Sequence, residues 1–519
     1  MERSNYAEQV LYETIRDDKL QSRPIIPDEG RGSPLLASHA PEPNAHSQSK
    51  DHAPSVFVFN PFAEGYIAEG KAFTPVKHQA MLSEDLATLP QFLCQPNDIV
   101  LLAKRPSVDF LNTLKQAGFP LPEFVELREG RIDPASSLCQ RKLGSLQPWA
   151  WGPDSIKLFE PLFSQVTSEA RNPSHHFNDD IARLYSKAWS ANFLKKVLTC
   201  CREWNETASL GEEAQRPAAA AAVEPWLCSD LEAGVAVDTL DDALEAIAAI
   251  RGRDHHRVVV KEAHGLAGHN AIRLWEPELL PTQRQWLANA LRNGRQLVVE
   301  PWLERELDFS VQLEMGPRGL ELCGFTGLIN DLKGQFLANW AEPNYSQCLP
   351  AKVTALFRAP ADISEPLHCL YDEIFSLLEA ELQRVGFVGP ISIDAFVYRT
   401  PQGDCRLKPV VEINPRYTMG RLTVELMEHT WPGSCGLFRL VNRAQVRAEG
   451  FADLSSYARS LSERLPLHLA GEPMPKIRQG ALCLNDPAQA QVCLATFEVS
   501  PTLNLPASPC GEDNYHRSH

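Results

Sequence analysis

Short uninterrupted apolar runs open the patterned part of the chain. Pro54-Ser-Val-Phe-Val-Phe-Asn60 ends in a turn-like Asn-Pro, and Asp98-Ile-Val-Leu-Leu-Ala103 repeats the arrangement. Runs of this length bounded by turn residues read as buried strands. A helix is expected at about 107–117, where Phe110, Leu111 and Leu114 share one face. The alternation of strand, helix and strand through about residue 128 predicts a small α/β domain with a parallel sheet. Further on, Asn178-Asp179 is a suitable cap for one amphipathic helical stretch from Asp180 to Leu198.

Beyond residue 233 the periodicity sharpens. Val235 and Val237 precede Thr239-Leu-Asp-Asp242, a helix-start signal, and an Ala-rich amphipathic helix reaches Ile250. Arg257-Val-Val-Val-Lys261 reads as a strand that ends on a lysine and a glycine-bearing loop. A helix near 281–292 leads to Gln296-Leu-Val-Val-Glu-Pro-Trp-Leu303, and strands are expected at Asp308 to Glu314 and Leu320 to Ile329. A long helix at 365–384 precedes Gly389-Pro-Ile-Ser-Ile-Asp-Ala-Phe-Val-Tyr398, and the turn at 401–404 returns the chain as Arg406 to Glu412, a β-hairpin. After 450 the pattern predicts a helix near 453–463 and strands near 480–484 and 491–498. The run Arg216-Pro-Ala-Ala-Ala-Ala-Ala-Val-Glu-Pro225 reads as a linker or surface loop.

Composition narrows the class. With 519 residues, 44% hydrophobic and 22% charged, the chain can form several buried cores. A net charge of -16 argues against a general nucleic-acid binder. The charged first 20 residues do not read as a secretory signal, and no run approaches the roughly 18 apolar residues of a membrane span. The 13 cysteines contain no C-x-x-C pair, which suits reduced thiols in a cytoplasm.

Three segments carry candidate chemistry. In the hairpin, Asp394 stands among Ile391, Ile393 and Phe396, and Glu412 and Asn414 end the returning strand two residues apart, on one side. An acid buried in an apolar strand is costly unless paired. Two carboxylates and an amide oxygen make the all-oxygen ligand set magnesium prefers; a solvated acidic edge, or pairing with Arg406 or Arg416, is the other reading. Lys261, ahead of Gly265 and Gly268, can bring a point charge to phosphates while the glycines admit backbone N–H groups. Val298-Val-Glu-Pro-Trp-Leu303 followed by Asp308 can offer main-chain groups to an adenine and an acid to ribose hydroxyls.

The order and spacing of these segments resemble the ATP-grasp superfamily over roughly 180–445, most specifically in Gly389-Pro-Ile-Ser-Ile-Asp394 with Val411-Glu-Ile-Asn-Pro-Arg416. The resemblance implies an α/β (α+β) fold: a flexible leader at 1–53, a pre-ATP-grasp-like α/β domain at 54–178, and an ATP-grasp domain at 179–449 whose lid covers about 228–302. A small C-terminal region at 450–519 with a frayed tail completes the expected layout. By position it implies Asp394, Glu412 and Asn414 as magnesium ligands, Lys187 and Lys261 as phosphate contacts, and Gly265 and Gly268 in the phosphate loop. Glu300, Trp302 and Leu303 fall in the adenine hinge, Asp308 on the ribose, and Arg416 on the γ-phosphate and acyl intermediate. Arg421, in Tyr417-Thr-Met-Gly-Arg421, is a candidate for pairing a substrate carboxylate.

The implied reaction is carboxylate–amine ligation through an acyl phosphate, with ATP and Mg2+ (or Mn2+) as cofactors. The expected partners are a small-molecule carboxylate and an amine, such as an amino acid or small peptide, with a homodimer as an admissible assembly and no nucleic acid or membrane. A phosphotransferase on the same fold and a non-catalytic nucleotide-binding or scaffold protein are the alternatives. Two departures bear on these expectations: Pro301 removes a hinge N–H, and His264 and His269 thin the glycine loop.

Overall fold

The computed structural model describes residues 53–70, 73–207, 226–265, 270–330, 336–342, 366–471 and 474–502. The leader expected at 1–53 (but for its last residue), the alanine run, Gly268 and His269 lie outside the described residues. The described chain is mixed α/β and contains three sheets.

The first sheet is parallel, with strands β1 (Val56–Val58), β2 (Ile99–Leu102), β3 (Glu123–Glu126) and β4 (Leu146–Pro148) in the order β3-β2-β1-β4. Every residue of β1 and β2 is buried, as continuous apolar runs require when both faces of a parallel sheet are covered. Helix Val108–Gln116 covers one face with Phe110 and Leu114, and its Ser107 cap accepts the Phe110 N–H. The short helix Ala63–Glu69 follows β1.

The stretch predicted as one helix from Asp180 to Leu198 is two, Asp179–Leu184 and Lys187–Thr207. Ser186 accounts for the break: its Oγ accepts the Ala188 N–H at 3.2 Å, capping a new helix and placing Lys187 in its first turn. Asn178 caps the first helix as expected.

The second sheet is antiparallel, with β5 (Val235–Val237), β6 (Val258–Glu262), β7 (Ala271–Leu274) and β8 (Leu297–Pro301) in the order β5-β8-β6-β7. Val258, Val260, Leu297 and Val299 pack against Ala243, Ile247 and Leu287 of helices Leu240–Arg251 and Pro281–Ala290. The period of two therefore turns Lys261, Val298 and Glu300 to the opposite face, where Val298 meets Ala188 and Ala191 of the helix Lys187–Thr207.

The third sheet has nine strands: β9 (Glu304–Gly316), β10 (Gly319–Asn330), β11 (Phe336–Ala341), β12 (Gly389–Arg399), β13 (Cys405–Asn414), β14 (Cys435–Asn442), β15 (His468–Ala470), β16 (Lys476–Cys483) and β17 (Cys493–Ser500). Their order is β13-β12-β9-β10-β11-β14-β17-β16-β15. The predicted hairpin is β12 and β13, paired antiparallel. Phe309, Val311 and Leu313 with Ile391, Ile393 and Val397 form one face, packed on Ile374, Leu378 and Leu382 of the helix Pro366–Val385. The strands beyond residue 450 continue this same sheet, through pairing of β14 with β17. Among the described residues, no helix is long and apolar enough to cross a membrane.

Candidate active site

Because side chains alternate, the face of the large sheet opposite that core carries a polar row. Asp394 stands directly across from Glu412 on one side and from Ser310 on the other, and Ser310 across from Thr326. One step along, Asn414, Ser392 and Gln312 form a second row. Asn414 Nδ2 donates to Asp394 Oδ2 at 3.1 Å. Gln312 Nε2 donates to Ser310 Oγ at 2.8 Å, and Thr418 Oγ1 donates to Gln312 Oε1 at 2.8 Å. The hydroxyls of Ser392 and Thr326 are buried and have no hydrogen-bond partner among the described residues.

The two facing acids are shifted in opposite directions. Burial and the neighbouring Glu412 charge push the Asp394 carboxyl up to about 6, against the opposing Ser310, Arg416 and Asn414. Burial alone would raise Glu412 too, but Lys187, Lys261 and Arg416 outweigh it and hold Glu412 below the usual carboxylate range. Two buried acids and an amide side by side are a set that a hard divalent cation fits, because its charge would offset the burial and the repulsion that raise Asp394. Among the described residues there is no group of three or more His, Cys, Asp or Glu residues placed to hold a metal ion, and this set itself has two acids and an amide.

Cations reach this row from three elements. Lys187 Nζ lies 2.8 Å from Glu412 Oε1 and donates to the Gly265 carbonyl at 2.8 Å, while the Lys187 N–H donates to Ala263 O. Burial would lower the Lys187 ammonium, but Glu412 and Glu64 outweigh it and raise it. Lys261 pairs with Glu300 Oε1, and Lys408 Nζ takes Glu300 Oε2 at 2.7 Å and the Glu232 carbonyl at 3.1 Å. Burial pulls the Lys261 ammonium down, with Lys408 and Arg305 adding to it and Glu300 opposing. Glu300 is itself held strongly ionised: burial works against it, but the two lysines dominate. Lys187, Lys261, Glu300, Lys408 and Glu412 all line one narrow cavity.

Arg416 sits at the far end of the same row. Its Nη2 donates to Asn414 Oδ1 at 3.1 Å, and its Nε donates to Glu64 Oε1 at 3.0 Å. Glu64 belongs to the helix after β1, so the parallel-sheet layer contributes directly to the site.

The remaining candidates are placed as follows. The Trp302 N–H donates to Arg257 O at 2.9 Å, Leu303 is buried, and Pro301 ends β8. Asp308 lies two residues from Ser310 on the polar face, where its carboxylate accepts from Arg305 at 3.0 Å and Asn330 at 3.2 Å. Arg421, in helix Met419–Met427, pairs with Glu314 and Glu425, each at 2.7 Å, so it already holds two carboxylates. Gly265 has a φ of 158°. Glu64, Glu232 and Lys408 were absent from the sequence expectation. Lys408 had a signal, a lysine inside an apolar strand on the side of Glu412; Glu64, one acid among several in its segment, had none.

No protein-family model matches the chain, and no curated protein matches it. Among solved structures, it is similar to N5-carboxyaminoimidazole synthetase from Staphylococcus aureus, with 10% identity, a TM-score of 0.43 and coverage of 87% of this chain and 95% of that one. It is also similar to biotin carboxylase from Campylobacter jejuni, in a β,γ-ATP complex, with 11% identity, a TM-score of 0.42 and coverage of 86% and 87%. The biotin carboxylase domain of Hydrogenobacter thermophilus 2-oxoglutarate carboxylase matches at 12% identity and a TM-score of 0.41, covering 86% of each chain.

Proposed function

We propose that this chain is an ATP-dependent carboxylate–amine ligase of the ATP-grasp type. The observation that carries the reading is the convergence, on one cavity, of Lys187 and Lys261 from two separate elements with Glu412, itself opposite Asp394. Cations that line a cavity together with Glu412, itself across the strand from Asp394, suit a triphosphate with its divalent ion.

In this reading Asp394, Glu412 and Asn414 hold magnesium, which when bound supplies charge neutralisation at the phosphate oxygens. Lys187 and Lys261 leave Glu412 and Glu300 for the nucleotide phosphates, and Glu300 stays neutralised because Lys408 remains on it. The segment Glu300 to Leu303 lies against the adenine and Asp308 beside the ribose. Arg416, tethered by Glu64 and Asn414, steadies the charge that builds on the transferring phosphoryl group. A substrate carboxylate oxygen attacks the γ-phosphorus and ADP leaves; an amine then attacks the acyl carbon and phosphate leaves. The protein's contribution is position and charge, with no nucleophile of its own. A cytoplasmic setting suits both the ATP requirement and the scattered thiols.

The test is product analysis with ATP, Mg2+ and pooled carboxylates and amines. A ligase releases inorganic phosphate only when carboxylate and amine are both present. Phosphorylation of a hydroxyl compound, or ATP bound without turnover across the panel, would displace the ligase reading.

A further inference from the structure

Two buried polar atoms near these cations have no hydrogen-bond partner among the described residues: Glu64 Oε2 and His264 Nδ1. Glu64 is 3% exposed, and Arg416 engages only its other oxygen, at 3.0 Å. His264 directly precedes Gly265, whose carbonyl receives Lys187 Nζ. The two groups share one electrostatic neighbourhood, since the Glu64 charge acts on both His264 and Lys187. Burial, helped by Lys187 and opposed by Glu64, holds the His264 imidazole below its ordinary value, so it is neutral near pH 7.

A carboxylate oxygen only accepts hydrogen bonds, and Nδ1 of a neutral imidazole accepts when its proton is on Nε2. A buried acceptor left unmet forfeits the hydrogen bonds it made in water and destabilises the site. A ligand that carries at least two N–H donors on one atom would meet both acceptors, and the formal charge of Glu64 favours a cation.

We propose that Glu64 and His264 form the acceptor subsite of the ligase and select a primary ammonium group as the amine substrate. This rests on the ligase reading for its chemistry, not for its binding. The ammonium donates to Glu64 Oε2 and His264 Nδ1 and gives one proton to His264. The free amine then attacks the acyl carbon, the C–N bond forms as the C–O bond to phosphate breaks, and the amine's second proton leaves with the phosphate. Alcohols and tertiary amines fail here because they cannot meet both acceptors.

The test uses full-length protein carrying [15N]histidine, free and with Mg2+ plus a non-hydrolysable ATP analogue, titrated with methylammonium or tetramethylammonium chloride. His264→Gln identifies the His264 resonances. Methylammonium is expected to shift Nδ1 saturably, tetramethylammonium is not, and Glu64→Gln should weaken the methylammonium response about tenfold, the loss of one charge-assisted hydrogen bond. Should Glu64→Gln fail to fold, the contrast between the two ammonium ions on the wild-type chain carries the test. Absence of a methylammonium shift, an equal shift from tetramethylammonium, or an unchanged response in Glu64→Gln overturns the subsite. Nucleotide binding, measured separately by calorimetry, reports on the ligase reading alone, so the two can fail independently.

Discussion

Asp394 and Glu412 face each other across adjacent antiparallel strands, yet only Glu412 has a lysine, Lys187, at 2.8 Å. That asymmetry explains why burial and like charge raise one carboxyl while the other stays ionised. Glu412→Gln keeps the shape and removes the charge that both Lys187 and a divalent ion require. ATP turnover should fall at least about a hundredfold, the usual scale for a lost electrostatic contact to a developing charge. The Mg2+ concentration needed for half-activation should rise as well. Steady-state kinetics across a Mg2+ series checks both; full turnover at ordinary Mg2+ would remove Glu412 from the metal site.

Glu300 neutralises Lys261 and Lys408 together, and Lys408 is 2% exposed. Glu300→Gln leaves two buried ammonium groups facing each other without a counter-charge, and should cost about 3 kcal/mol or more in urea unfolding. Lys408→Met leaves Glu300 still paired with Lys261 and should cost less. In the Glu300→Gln/Lys408→Met double variant the repulsion is gone, so its loss should be well below the sum of the single losses. Additive losses would mean that Lys408 and Glu300 are not one unit.

How much of this was legible in the sequence depended on periodicity. Lys261 after Val258-Val-Val and Glu300 after Val298-Val lie in strands whose alternate residues enter a core, so their shared face followed from a period of two. The hairpin and its three oxygens were legible for the same reason. The break at Ser186 was not, because both helices it separates are amphipathic and a serine cap inside a helical pattern is quiet. Glu64 could not be found: it meets Arg416 across 352 residues of chain, and no local pattern encodes a contact between layers. The two carboxylates that hold Arg421 are equally non-local in part, since Glu314 comes from β9 and only Glu425 lies one helical turn away.

Gly420 sets how closely the helix Met419–Met427 approaches the polar face. A Cβ there would stand 2.4 Å from Gln312 Nε2 and 2.9 Å from Thr326 Oγ1. Gln312 is 1% exposed and links Thr418 to Ser310, so it has little room to yield. Gly420→Ala should therefore cost about 1–3 kcal/mol, as overpacking does. In a Gln312→Ala background the same change should cost much less, because the clashing amide is gone. Equal costs in both backgrounds, read from denaturant midpoints, would show that Gln312 is not what the helix meets.

His429 offers a pH dependence removed from the polar row. Its ring packs on Phe119 with centroids 4.5 Å apart, and burial, reinforced by Lys476, pulls its imidazole down to about 4 from an ordinary 6.5. The unfolded chain thus takes the proton at a higher pH than the folded one. The stability this neutral histidine contributes is present above about 6.5 and is lost as pH falls toward 4, by roughly 3 kcal/mol at the end of that window. Asp394 acts in the opposite sense: its raised carboxyl contributes stability below its ordinary 3.8 that is lost as pH rises through about 6. Urea unfolding between pH 7 and 4 should show a shallower acid decline in His429→Gln than in the wild-type chain, whatever the variant costs at neutral pH. Parallel curves would mean that His429 is protonated in the folded protein as readily as in the unfolded one.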